Sequence, residues 1–184
     1  MDRRQSLGLM GSFAATLATA SVAHATTARA VSLVDLVRRS SRIARATALD
    51  SFARLEDIGG ARHVVTYSRL RIDDSIQGAS GDSETLVRTL GGRVGDLGEI
   101  VHGEAELSLN ETCLVFLMQD PNGVELVTAM AQGHYPVAID GGGTPRLRLG
   151  RNMPLLVGKA PSAVAQLAGK PFTEARALIL GARR

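Results

Sequence analysis

The run Thr112-Cys113-Leu114-Val115-Phe116-Leu117-Met118 has no polar face, and Asp120-Pro121-Asn122-Gly123 follows it almost at once. A strand that alternates can leave one side in water, but a strand apolar on both sides needs cover on both. Cys113 to Gln119 is therefore expected to be a central strand. The turn residues send the chain back, with Val124 to Met130 as the returning partner.

Other segments supply the sheet around it. In Val64–Ile72, residues Val64, Thr66, Ser68, Leu70 and Ile72 share one face, while Tyr67, Arg69 and Arg71 share the other. Glu84 to Leu90 reads as a strand that stops at Gly91-Gly92, after a loop marked by Asp73-Asp74 and Gln77 to Asp82. Ile43 to Leu55 fits a strand, with helix left open by its alanines. Gly133 to Ile139 and Arg146 to Leu149 flank the Gly141-Gly142-Gly143 turn. Val31 to Arg39 is expected to be a short helix with Ser32 as N-cap, Asp35 three residues on, and Leu33, Leu36 and Val37 on its buried face. Pro154, Pro161 and Pro171 divide the end of the chain into short helical pieces. The last, Thr173 to Leu180, turns Ala175, Leu178 and Ile179 inward.

Short, closely spaced strands without βαβ alternation predict a mainly β fold. The expected form is a small OB-like barrel or sandwich with a short N-terminal helix and a C-terminal helical tail. The expected division is a signal peptide at 1–25, a β-barrel domain at 26–152 and a C-terminal helical extension at 153–184.

The leader carries the export reading. Arg3 and Arg4 precede an apolar, Ala-rich run from Leu7 to Ala23, and Ala23-His24-Ala25 offers a small-x-small cleavage site. Ala28-Arg29-Ala30 is a second candidate site. The run is too short and weakly apolar for a good membrane span. No Cys follows it for lipid attachment, so no stable membrane anchor is expected after cleavage. Arg3-Arg4-Gln5-Ser6-Leu7 resembles a twin-arginine signal with Ser6 where Phe is usual, which leaves that route and the general one both open. The expected location is periplasmic or secreted.

Charge narrows the partners. Removing Arg3, Arg4 and Asp2 takes 21 Lys+Arg and 18 Asp+Glu to 19 and 17, a net of about +2. Nucleic-acid binding needs a clustered basic face or a stacking platform, and neither is visible, so no nucleic-acid partner is expected. The chain has one cysteine, Cys113, so no internal disulfide can form. In its apolar run it reads as a buried small hydrophobe.

Several segments together resemble a family of uncharacterised exported bacterial proteins. They are Val31 to Val37 with Ser40-Ser41-Arg42-Ile43, Thr89 to Gly95, Cys113 to Leu117, and Ala131-Gln132-Gly133, covering roughly residues 31–137. The layout is more distantly similar to the netrin-like module, an OB-type barrel also found in tissue inhibitors of metalloproteases. That resemblance implies a protein partner such as an exported protease. The module relies on disulfides and an N-terminal cysteine, and this chain departs from it in both.

No residue is assigned a catalytic, cofactor-binding or metal-binding role, and no cofactor is expected. Gly91 to Gly98 matches neither phosphate-binding glycine pattern and reads as turns and a bulge. His63, His102 and His134 lack zinc-ligand spacing. His102, near Glu99, Glu104 and Glu106, is expected on a solvated strand face. Asp73-Asp74 and Asp140 read as turn residues.

The function expected is an exported non-enzymatic β domain that binds a protein, peptide or envelope component. One alternative is a hydrolase or metal-dependent enzyme in which the three histidines and nearby acids converge. Another is a small-ligand carrier with an apolar cavity in its barrel.

Overall fold

In the computed structural model, residues 27–78, 81, 83–158 and 161–183 are described. The leader and its Ala23-His24-Ala25 site lie outside them. The strands are β1 (Thr27–Arg29), β2 (Arg42–Ile58), β3 (Ala61–Gln77), β4 (Glu84–Leu90), β5 (Gly92–Val94), β6 (Leu97–Glu99), β7 (Thr112–Gln119), β8 (Glu125–Val127), β9 (His134–Ile139), β10 (Pro145–Leu147) and β11 (Leu155–Val157). The helices are α1 (Leu33–Arg39), α2 (Ala163–Leu167) and α3 (Phe172–Ala182).

A seven-stranded mixed sheet runs β10-β9-β7-β2-β3-β4-β8, and β8 also pairs with β7. Five of its strands thus form a near-closed ring, in which β4–β8 is the one parallel pair. Closure rests on β2, whose register against β3 shifts at Ile43/Ala44, Arg45/Ala46 and Ala48/Asp50. Bulges sharpen twist and bend a strand, and this is what lets a 17-residue strand curl into a ring. Arg42 to Thr47 pair with β7. The rest of the β2–β3 hairpin runs on past it.

The interior of the ring is packed with Ala46, Ala48, Leu70, Val87, Cys113, Val115, Leu117 and Val127, with Ala105 closing one end. A second core lies between the outside of the sheet and the helices. There Leu36, Ile43, Leu114, Phe116 and Tyr135 meet Leu167, Phe172, Ala175 and Ile179. The double-sided burial of β7 follows directly: Leu114 and Phe116 serve one core, Cys113, Val115 and Leu117 the other. α2 and α3 are thereby part of the main packing.

Local signals formed what they encode. Ser32 Oγ accepts from the Asp35 N–H at 3.1 Å and caps α1. Asp120 Oδ1 accepts from the N–H groups of Asn122 and Val124, and Asp140 Oδ1 does the same for Gly142 and Thr144. Three expectations are corrected. Asp73 and Asp74 lie inside β3, not in a loop; Asp73 accepts from Thr47 Oγ1 and Arg71, and Asp74 pairs with Arg176. The return strand stops at Val127, because Ala129 and Met130 turn left-handed at φ 58° and 57°. Leu155–Val157 is a strand, not a helical piece, and pairs in parallel with Thr27–Arg29.

His134 is 1 % exposed, and burial alone pushes its imidazole from 6.5 down to about 4. The folded state holds it neutral, so its contribution is complete above about pH 6.5 and drains away as pH falls towards 4. At 1.36 kcal/mol per unit this amounts to about 3 kcal/mol. Urea melts at pH 7 and pH 4.5 should show most of that loss, and His134→Leu should flatten it. Equal stabilities at the two pH values would contradict this burial.

Candidate binding face

The part of β2–β3 that runs past β7 presents an outer face. Pairing sets Phe52 opposite Tyr67 and Tyr67 opposite Arg88, with Asp50, Arg69 and Leu86 in the adjoining row. The rings of Phe52 and Tyr67 stack with centroids 5.4 Å apart and planes at 11°. The Arg54 guanidinium sits 4.7 Å from the Tyr67 centroid, its Nη2 donating to the Tyr67 hydroxyl at 3.1 Å. Phe52 remains 50 % exposed and Leu86 42 %.

A charge network holds this platform. Glu56 Oε1 accepts from the Tyr67 hydroxyl and Arg54 Nε, both at 2.7 Å. Arg88 bridges Glu56 and Asp120 at 3.2 Å each. Burial works to raise the Glu56 carboxyl, but Tyr67, Arg54 and Arg88 together hold it below the usual range. The Val124 N–H does most to lower Asp120, with Asn122 and Arg88 adding to it against burial. Arg69 pairs with Asp50 and Glu84, and Arg71 with Asp73. Each of the face's arginines 54, 69, 71 and 88 therefore meets a carboxylate.

The aromatic inventory makes this face distinctive. Among the described residues there are five Phe and Tyr side chains. Phe116, Tyr135 and Phe172 are all in the helix-side core. The other two are the Phe52–Tyr67 stack. The sequence reading placed Tyr67, Arg69 and Arg71 on a common face but missed Phe52. Its signal is the i, i+2 row Asp50, Phe52, Arg54, Glu56, visible only once the bulges fix the register.

The histidines occupy three different settings. His63 Nδ1 lies 2.8 Å from Glu99 Oε1, and the Glu99 carboxyl is lowered by that contact and by the Val64 N–H. His102 is exposed in an irregular stretch, not on a strand, and its expected neighbour Glu99 is turned to His63. His134 is buried in β9. Among the described residues, no three His, Cys, Asp or Glu side chains come together as a metal set. Cys113 is 2 % exposed, and burial pushes its thiol up to about 12, which suppresses the thiolate that any nucleophile would need.

The glycine-rich segment forms the β5–β6 hairpin at the mouth of the ring. A Cβ on Gly92, at φ 131°, would lie 2.3 Å from Thr66 Oγ1. A side chain there would meet a backbone conformation that L residues rarely adopt and would push on the Thr66 side chain. Gly91 and Gly92 line a cavity there; His102 does not.

Other segments singled out in the sequence are joints of the fold. Gln132 accepts from the Val31 N–H at 2.9 Å and donates to Arg29 O at 3.0 Å, tying the chain's entry to the sheet. Buried Ser40 donates to Leu36 O and pairs with Thr128 Oγ1. Arg42 pairs with buried Glu125. No protein-family model matches the chain, and no curated protein matches it.

Proposed function

We propose that this chain is an exported, non-enzymatic β domain that binds a protein partner through the outer face of β2, β3 and β4. The observation that carries the reading is the half-exposed Phe52 stacked on Tyr67, in a chain whose other described aromatics are all buried. Protein contacts favour aromatic and arginine side chains at their energetic centre. Here the ring is already oriented by its stack and by the Arg54–Glu56–Arg88 network, so little side-chain freedom is lost on docking.

The partner this face suits presents an apolar side chain to Phe52, with both signs of charge around it. Paired arginines make a poor site for a polyanion, which releases counterions to unpaired cations. This favours a protein over nucleic acid. An exported protease remains the partner that the netrin-like resemblance suggests. The OB-like form is supported by the ring, whose strands run in chain order first, second, third, fifth, fourth, with the third and fifth parallel.

Export rests on the leader. Of its two cleavage sites, the one ending at Ala25 fits the fold, since cutting after Ala30 would remove β1. That strand is held by β11, by Gln132, and by the Ala30 N–H donating to Val157 O at 2.9 Å.

Phe52→Ala tests the reading. With Phe52 half exposed, the variant should melt close to the parent, yet bind the partner at least ~30-fold more weakly, the ~2 kcal/mol of a central aromatic anchor. Unchanged affinity in the folded variant would remove this face from the account.

A further inference from the structure

We propose that the cavity at the mouth of the ring binds a primary ammonium group carried on a short aliphatic stem. The cavity has a volume of about 330 Å³ and opens between Thr66 and Ser68 of β3, the end of β4 and the segment that follows β6. Thr66, Ser68, Thr89, Glu99, Glu104 and Asn152 give it a polar wall, Ile100 and Leu107 an apolar one.

The hydrogen-bond balance of that wall selects the ligand. Thr66 Oγ1 donates to Gly91 O at 2.7 Å, and Thr89 Oγ1 is directed at Thr66 O. Asn152 Nδ2 donates to Val101 O at 2.9 Å and to Glu104 O at 3.2 Å. These donors are consumed within the wall, so what the groups still offer is lone pairs: two threonine oxygens, the Asn152 carbonyl and the Glu104 carboxylate. Lys, Arg and His are absent from the lining; of its carboxylates, Glu99 already meets His63 and Glu106 meets Arg151, which leaves Glu104 without a basic partner among the described residues. Ser68 is a separate observation. It is 1 % exposed, lines the cavity, and its hydroxyl has no partner among the described residues.

A wall rich in acceptors and poor in donors is satisfied by a group that only donates. An ammonium supplies three N–H donors and a positive charge. The apolar wall receives its methylenes. Burial raises the Glu104 carboxyl, with the Ala105 and Leu90 N–H groups opposing, and a cation beside it would offset that burial. The ammonium could be a lysine of a bound protein or a free aliphatic amine, since both present the same chemistry. This site is independent of the Phe52 face, and Phe52→Ala should leave it intact.

Calorimetric titration of the full chain at pH 8 with n-butylammonium, Nα-acetyl-lysine methylamide and the neutral isostere 1-butanol tests the proposal. At least one amine is expected to bind, and to do so at least ~10-fold more tightly than butanol, the step of one charge-assisted hydrogen bond. Glu104→Gln should lose about that factor without a lower melting temperature. Ser68→Ala, a milder change, should lose part of it and serves if Glu104→Gln fails to fold. Comparable binding of the lysine amide supports a lysine of a partner; binding of butylammonium alone supports a free amine. Binding by neither amine, equal binding of butanol, or unaltered affinity in both variants would overturn the site.

Discussion

Replacing Glu125 by leucine is expected to cost about 3–5 kcal/mol, because it removes a buried carboxylate that faces Arg42 and accepts from Thr85. Arg42 and Glu125 are 9 % and 6 % exposed, with Nε and Oε1 3.4 Å apart. Glu125 Oε2 also accepts from Thr85 Oγ1 at 2.5 Å, so the change loosens β4 as well as β2. For a chain of this size the melting temperature should fall by roughly 10 °C. The double variant Arg42→Met/Glu125→Leu removes both charges and should recover most of the loss. Denaturant melts of the three proteins check this. A single variant within about 1 kcal/mol of the parent, or a double variant no better than the single, would contradict the role given to the pair.

Gly133→Ala is expected to be at least as damaging, for a steric reason. A Cβ at this position would lie 2.1 Å from Thr128 O, 3.1 Å from Thr128 C and 3.2 Å from Val127 Cγ1. The obstacle is mostly backbone, which cannot step aside without opening the turn that joins β8 to β9. The cost should reach about 3 kcal/mol or more, or the protein should fail to accumulate folded. Gly141 is the control. Nothing stands within 4 Å of a Cβ there, and Gly141→Ala should stay within about 0.5 kcal/mol. Parallel thermal melts decide it; equal melting of the two variants would show the turn to be more open than described.

These two positions illustrate what was legible in the sequence and what was not. Signals that act over a few residues were readable: the Ser32–Asp35 cap, the Asp120 and Asp140 turns, and the double-sided burial of Cys113 to Leu117. Gly133 and Gln132 stood out as parts of a segment, but their jobs depend on Thr128, Val31 and Arg29, and Gln132 meets Val31 101 residues away. β1 and β11 are three residues each and find one another only in the folded chain, so no local pattern announces them. Asp73-Asp74 had the composition of a loop; a bulged strand with cross-strand hydroxyl and guanidinium partners accommodates both.

The candidate face was half visible for the same reason. Alternation gave Tyr67, Arg69 and Arg71 a common side, because β3 is regular there. Phe52 joins them through a β2 register displaced by a bulge at Ala48/Asp50. Residue spacing along one strand carries no information about such a shift. The cavity at the mouth was harder still, since its wall is drawn from β3, β4, the stretch after β6 and Asn152.

The proposed docking of a protein on the outer face of β2, β3 and β4 is open to direct test. Site-specific photo-crosslinking in the exported fraction tests it most directly, with the reactive side chain placed at Leu86, opposite Arg69 and diagonal to Tyr67 on the same face, or at Ile139 on β9, 63 % exposed. A discrete crosslinked protein is expected from position 86, lost when Phe52→Ala is added, and none from position 139. Crosslinks from position 139 alone, or from position 86 irrespective of Phe52, would contradict it.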